Sequence, residues 1–457
     1  MRNLVSVTLL AFCTVAGAQT IEPKQLDSFR DQVKNDPAFI MRRNAVIGQT
    51  PLRDRALNHD LQNQIDHFFK YRVDVKGITD QKSSGRCWMF TSLNVLRPAI
   101  MKKYNIDAFD FSHNYLYFWD MLEKSNLFLE NIVRTSSADI NDREVVHYFS
   151  EPVGDGGVWN LFYNISGKYG FVPKEVMPET AHSENTAQLR SLLNELMRKG
   201  GYQLREMAAA GKSETEIRAQ KEAVLANAYK LLSMTLGEPP VNFTWRYKDK
   251  NGAIQQLTTT PLDFYKENIP ADYSPEQYIM IMNDPTRPYY QVYDIANYRN
   301  TLEGINWRYL NLPNDEIKKS ALASVKNNEA MYASCDVGKQ YNRATGILDP
   351  DMYDYESLLG INFDMDKKAR ILTRQSGSAH AMAIVGVDTD NDDKPVKWEF
   401  ENSWGAQNGN KGYLTFTDAW FDEYMFRIVI RKEYLSKKAI KALETKPVSL
   451  PAWDYMF

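Results

Sequence analysis

Hydrophobic residues recur along this chain with two different periods, and the change of period divides it. From Cys87, "CWMFTSLNVLR" carries an apolar face at helical spacing and predicts a helix that ends or kinks at Pro98. "FSHNYLYFWDMLEKSNLFLENIV", Phe111 to Val133, predicts a second apolar-rich helix. Residues 19 to about 70 predict polar helices, broken at Pro37. In the middle, Ser213 and Glu216 form a capping-box signature. Ile217, Val224, Leu225, Ala228, Leu231 and Leu232 follow at helical spacing, and the helix should stop at Gly237 and Pro239-Pro240. Sequence rich in Pro, Tyr and Asn then runs to about Tyr309 and predicts loops and short strands.

The C-terminal third alternates with period two. "AHAMAIVGVD" and "VKWEFENSW" predict a hairpin around the acidic "TDNDDKP", and "KGYLTFT" predicts a further strand. No internal repeat or low-complexity segment interrupts the chain. Helices early and antiparallel strands late predict an α+β fold, with a cleft between the two halves and the middle region inserted between them.

Composition narrows the class. With 457 residues, 43% hydrophobic and 12% aromatic, the chain is folded and can bury one large core or two to three smaller ones. A net charge of −3 gives no support for nucleic acid as the main partner. The basic stretch Arg431 to Lys446 is interrupted by glutamates and reads as a solvated helix face. At the N-terminus, Arg2, the apolar run Leu4 to Val15 and Ala16-Gly17-Ala18 predict a secretory signal over residues 1–18, so that the mature chain begins at Gln19. Phe12 before Cys13 argues against a lipid anchor, and no later segment is long and apolar enough to cross a membrane.

Removing the leader leaves two of the three cysteines, Cys87 and Cys335. They could form one bridge, or Cys87 could be a reactive thiol. A helix N-terminus stabilises a thiolate, because unpaired N–H groups and the helix dipole favour negative charge there. Cys87 lies where such a helix would begin, just after Gly85. Of His59, His67, His113, His147, His182 and His380, only His380 opens a strand between two alanines that leave its ring approachable. In "VKWEFENSWG", Val396, Trp398, Phe400 and Asn402 share one face and Glu399 and Glu401 the other. A polar Asn402 on an apolar face needs a partner, which an imidazole can supply, and Trp404 could shield that bond from water. Gln81 is placed to add a side-chain donor beside the Cys87 backbone N–H, completing an oxyanion site. Asp388, Asp390, Asp392 and Glu399 fall at calcium-loop positions, but Asp393 replaces the required glycine and the flanks read as strands, so an acidic hairpin turn is expected and no metal.

"QKSSGRCWMF", the His380 segment and "ENSWG" together resemble the papain superfamily of cysteine peptidases, and more closely its bleomycin hydrolase and aminopeptidase C branch. "SHNYLYFWDMLEKSN", "GGVWNLFYNISGKYGFVPKEVMPET", "CDVGKQYN", "KWEFENSWG" and "LPAWD" extend the resemblance over nearly the whole chain from about Asp66. It implies a papain-like two-lobe fold with a large, mainly helical insertion and a C-terminal arm. The expected parts are an N-terminal segment 19–65, a helical lobe 66–180 with Cys87, an insertion 181–325, a β lobe 326–446 with His380 and Asn402, and an arm 447–457. The interval between Cys87 and His380 far exceeds the roughly 130–150 residues usual in papain-like enzymes, which the insertion explains.

The resemblance also implies roles: Cys87 as nucleophile, His380 as acid/base, Asn402 as its orienting group, Gln81 as oxyanion donor, and the Gly156-Gly157 pair as the edge on which an extended substrate lies. Cys335 is then expected to be a buried core thiol. No cofactor is implied. The implied partners are peptides with a free N-terminus and, in a homohexameric ring, other copies of the chain. The leader implies export to a bacterial periplasm or beyond. In this branch the C-terminal arm enters the cleft and its carboxylate meets the substrate's α-ammonium, which gives Phe457 a substrate-binding role. Here Tyr455 stands where the family has a proline and the tail is shorter than usual. Aminopeptidase action is the leading expectation. Endopeptidase or di- and tripeptidyl action, or a ring-forming binding protein without activity, are the alternatives.

Overall fold

The computed structural model describes residues 20–454. The leader at 1–18, with Cys13, and the chain end at Phe457 lie outside the described residues. The chain forms two compact units. The smaller holds helices Pro23–Lys34, Pro37–Val46, Leu52–Ala56 and Tyr355–Leu359. Pro37 opens its helix at the first position, behind Asp36, whose side chain caps the Ala38 N–H.

The larger unit contains two cores. The first is helical. Helices Cys87–Lys103, His113–Arg134, Trp159–Tyr169, Ala187–Ala209 and Glu214–Leu236 bury Trp88, Leu116, Phe118, Phe162, Leu193 and Leu232 among themselves. Ser213 caps Glu214–Leu236 through a reciprocal capping box with Glu216, and Gly237 ends it at φ 88°, a conformation that glycine adopts without strain. Of the two outcomes expected at Pro98, an end or a kink, the helix from Cys87 does not end there but continues to Lys103. The five residues beyond the proline bury Ile100 and Met101 in this core, and that burial offsets the missing hydrogen bond.

The second core lies on a twelve-stranded sheet. At its centre Met331–Cys335 pairs antiparallel with both His380–Thr389 and Met425–Arg431. His380–Thr389 also pairs with Pro395–Glu401, which pairs with Tyr413–Thr417. The region expected as a mainly helical insertion ends differently. After the helix Glu214–Leu236, residues 243–311 carry five strands, and three of them, Tyr278–Met282, Gln291–Ile295 and Arg308–Asn311, extend the main sheet. The acidic "TDNDDKP" is a hairpin turn between strands, with Asp390 accepting from the Asp392 and Lys394 N–H groups.

Glu399 and Glu401, on the strand face opposite Trp398 and Phe400, are both buried. The helical core covers that face, and each carboxylate meets an arginine: Arg72 at 2.6 Å from Glu399 and Arg97 at 2.5 Å from Glu401. Arg97 also donates to Asn94 Oδ1 and to the Gly77 carbonyl. The Arg97–Glu401 pair therefore joins the helix that begins at Cys87 to the strand that leads into Asn402.

Candidate active site

Cys87 is the first residue of its 17-residue helix and is half-buried. The turn before it is tightly held. Asp155 Oδ2 accepts from the Gly85 N–H at 2.8 Å and from Thr186 Oγ1 at 2.5 Å, while Arg190 binds Oδ1 at 2.7 Å. A Cβ on Gly85 would lie 2.3 Å from that carboxylate, so only glycine lets Asp155 clamp the turn. Arg86 is fully buried behind it, paired with Glu179 at 2.9 Å.

His380 begins its strand on the facing lobe, directly opposite Cys335 across the ladder. Its Nε2 lies 2.8 Å from Asn402 Oδ1, which also accepts the Ser403 backbone N–H at 2.8 Å. An N–H can only donate, so the Asn402 amide must turn its oxygen toward it. The Nε2 of His380 is then the protonated ring nitrogen, and Nδ1 is left to accept a proton. Trp404 stacks on the imidazole with ring centroids 4.5 Å apart and covers this bond as expected.

Gln81 is fixed by the same logic. Its Nε2 donates to the Ser84 carbonyl at 2.6 Å, and its Oε1 accepts from Ser403 Oγ at 2.7 Å. Its own N–H donates to the Ser403 carbonyl at 2.8 Å. The second Nε2 hydrogen remains for a ligand in the cleft. As the first residue of a helix, Cys87 also keeps its backbone N–H unpaired among the described residues. These two donors meet the chemical requirement of an oxyanion site.

Gln81, Cys87, Gly156, Gly157, His380, Ala381 and Trp404 all line one cleft of about 1000 Å³. Burial pushes the Cys87 thiol up, against the backbone N–H groups of Ala381 and Trp88 and the charge of Arg427, which pull it down. Burial likewise holds His380 down at about 4, against its bond to Asn402. Either charge alone is therefore unfavourable here. A proton passed from Sγ to Nδ1 makes both together, and their mutual attraction offsets part of that penalty.

The Gly156-Gly157 pair divides its tasks. The Gly156 carbonyl is already bound by Lys124 Nζ at 2.8 Å, and Lys124 is held in turn by Asp120 at 2.7 Å. Gly157 has neither its N–H nor its C=O bonded among the described residues, so it alone presents a complete open edge. A Cβ there would lie 2.7 Å from the Trp88 ring.

The remaining histidines serve elsewhere. His113 is buried flat on Phe90 at 3.5 Å, and His67 bonds Thr415 Oγ1 at 2.7 Å. Cys335 is a free, fully buried thiol on the strand beside that of His380, and no disulfide joins it to Cys87. Asp155, Ser403 and Lys124 were not singled out from the sequence. Asp155 adjoins the glycine pair and Ser403 follows Asn402, but no periodicity sets either residue apart.

Residues 20–457 match the Peptidase C1-like family. The chain is similar to human bleomycin hydrolase, 37% identical over 437 residues that cover 93% of this chain and 95% of that protein. It is equally similar to aminopeptidase C of Lactobacillus delbrueckii subsp. lactis, 37% identical over 439 residues that cover 94% and 96%. Among solved structures, pepw from Lactobacillus rhamnosis superimposes with a TM-score of 0.91 at 36% identity, covering 96% of this chain and 98% of that one. The chain belongs to the Peptidase C1-like family, in the branch of the bleomycin hydrolases and aminopeptidases C.

Proposed function

We propose that the chain hydrolyses peptide bonds through Cys87, His380 and Asn402, and that it acts chiefly as an aminopeptidase. The observation that carries this reading is the fixed tautomer of His380, which keeps Nδ1 as a base in the cleft that Cys87 lines. In the first step the Sγ proton passes to Nδ1 as sulfur attacks the substrate carbonyl carbon. The carbonyl oxygen takes the electron pair and is held by the Cys87 N–H and Gln81 Nε2. The oxyanion then collapses, the C–N bond breaks, and Nδ1 returns its proton to the departing amine. A thioester on Cys87 remains. Water, deprotonated by His380, attacks that thioester; the C–S bond breaks, releasing the acid and restoring the thiol. Substrate backbone pairs with Gly157 in extended form.

Gln81→Ala is expected to lower kcat by about 10²- to 10³-fold, the usual loss of one oxyanion donor. Alkylation of Cys87 by iodoacetamide should stay close to wild type, because that reaction builds no oxyanion. An equal loss in both assays would place Gln81 in the support of the turn instead.

Aminopeptidase action requires that a free N-terminus be favoured. The C-terminal arm is a suitable device. Val448–Leu450 pairs in parallel with Gln291–Ile295, and the chain beyond that strand, Asn297 to Arg299, lines the cleft. Asp454 is paired with Arg287, and Trp453 packs on His147 and under Arg143. Three more residues span at most about 10 Å from there, and the proposed end point is a Phe457 carboxylate opposite the substrate's α-ammonium. Fluorogenic peptides with free and blocked N-termini test this. The full chain should prefer the free form, and deletion of Tyr455 to Phe457 should reduce that preference. Equal cleavage of both forms before and after deletion sinks the chain-end role. Export is proposed on the leader sequence at residues 1–18, and a hexameric ring on the resemblance. N-terminal sequencing of exported protein and the mass of the assembly in solution test them.

A further inference from the structure

Arg427 is 3% exposed and lines the catalytic cleft, yet it has no acidic partner. Its Nε and Nη1 are closed off from solvent and make no hydrogen bond among the described residues. The guanidinium lies over the Trp307 ring at 4.1 Å, which supports its position without satisfying its N–H groups. The groups that act on it most strongly are Tyr332, Tyr298, Tyr309 and Cys87, all neutral in the resting site. The carboxylates that line the cleft do not serve it. Asp155 is taken by Gly85, Thr186 and Arg190, and Glu151 is exposed with no ion pair to Arg427. An arginine cannot shed its charge as a buried lysine can. A buried, uncompensated guanidinium is costly, and the cost is relieved when an anion enters.

Its place in the sheet says which part of a ligand would meet it. Arg427 is opposite Ser334, which is opposite Ala381, the residue after His380. It thus lies two strands from the acid/base residue, on the lining of the cleft that the open Gly157 edge also lines. A peptide laid along Gly157 points alternate side chains to opposite sides, and one set faces this lining.

We propose that Arg427 is a specificity-determining residue that binds the carboxylate of an aspartyl or glutamyl side chain on the acyl side of the scissile bond. This rests on the peptidase reading of the cleft. The guanidinium nitrogen left open to the cleft, Nη2, donates to a carboxylate oxygen in a charge-assisted hydrogen bond.

The test uses matched fluorogenic peptides carrying Glu or Gln at the first or second residue before the cleaved bond. For the wild type, kcat/KM with Glu should exceed that with Gln by about tenfold or more at one of the two positions, as expected for a desolvated charge pair. In Arg427→Met the ratio should fall to about one, and in Arg427→Glu lysyl peptides should become the better substrates. Iodoacetamide titration of Cys87 counts the intact sites in each variant. If a variant does not fold, the wild type still decides: a glutamyl peptide amide should protect Cys87 from alkylation at lower concentration than its glutaminyl twin, with an advantage that shrinks as salt rises.

Equal rates for Glu and Gln at both positions in the wild type, or a preference that survives Arg427→Met, overturns the proposal. It is also overturned if the Glu/Gln ratio is one while Arg427→Met and deletion of Tyr455 to Phe457 lower the free-over-blocked preference alike, since the carboxylate is then the chain's own. Should no peptide be cleaved while glutamyl protection persists, the carboxylate subsite stands and the peptidase reading falls.

Discussion

Cys87→Ala should lose peptide hydrolysis by about 10⁴- to 10⁶-fold, and His380→Ala by a similar factor, since a nucleophile and its base act as a unit. The double variant should be no worse than either single one. The reason lies in the hydrogen-bond directions. With Nε2–H committed to Asn402 and Nδ1 left as the proton acceptor, neither residue has a substitute within the cleft. The same geometry fixes the pH dependence. Burial holds His380 at about 4 rather than near its usual 6.5, so the imidazole is neutral and competent as a base above that value. As pH falls, kcat/KM for a substrate without ionisable side chains should hold to about 5 and drop below it. A drop centred near 6.5 would mean that the base is a solvated histidine elsewhere.

Glu401→Met should be the most damaging substitution away from the chemistry, costing about 3–5 kcal/mol, because it strands the buried charge of Arg97. Arg97→Met should cost less. Burial already raises Glu401 to about 7 from the ordinary 4.5, against the pull of Arg97, so a glutamate without its partner can take up a proton and lose its charge. The sign with pH follows. Because the folded value lies above the unfolded one, the folded chain binds this proton more tightly. The contribution of Glu401 is therefore full below about 4.5 and is lost as pH rises through about 7. Denaturation midpoints at pH 5 and pH 8 should rank wild type, Arg97→Met and Glu401→Met in falling order, with Arg97→Met closer to wild type at pH 5. The reverse order would show that Arg97 acts mainly through its bonds to Asn94 and Gly77.

The proposed catalytic residues stand out in the sequence because each lies at an element boundary, where a polar or reactive residue is out of keeping with the apolar pattern that follows or precedes it. Cys87 opens a helix, His380 opens a strand and Asn402 follows one. The same periodicity misled where an element is covered on both sides. Alternation puts Glu399 and Glu401 on the face opposite Trp398 and Phe400, and that face is buried, with Arg97 of the Cys87–Lys103 helix and Arg72 of the strand Tyr71–Arg72 meeting the two carboxylates. Arg427 escaped for the same reason. No local pattern sets it apart in "MFRIVIR", and its strand lies inside the sheet between Tyr278–Met282 and Met331–Cys335, buried almost throughout. Pro98 left a helix end or a kink open, and tertiary burial of Ile100 and Met101 carries the helix through it. Long-range partnership, not local pattern, decided each of these cases.

The central claim is that substrate passes through a thioester on Cys87. Acid quench of the reaction with an unblocked amino-acid nitrophenyl ester, followed by peptide mapping, measures this directly. The account predicts an aminoacyl mass added to the peptide that contains Cys87, absent from Cys87→Ala and strongly reduced in its rate of formation in His380→Ala. An adduct on Cys335, or steady hydrolysis with no adduct on Cys87, would contradict it.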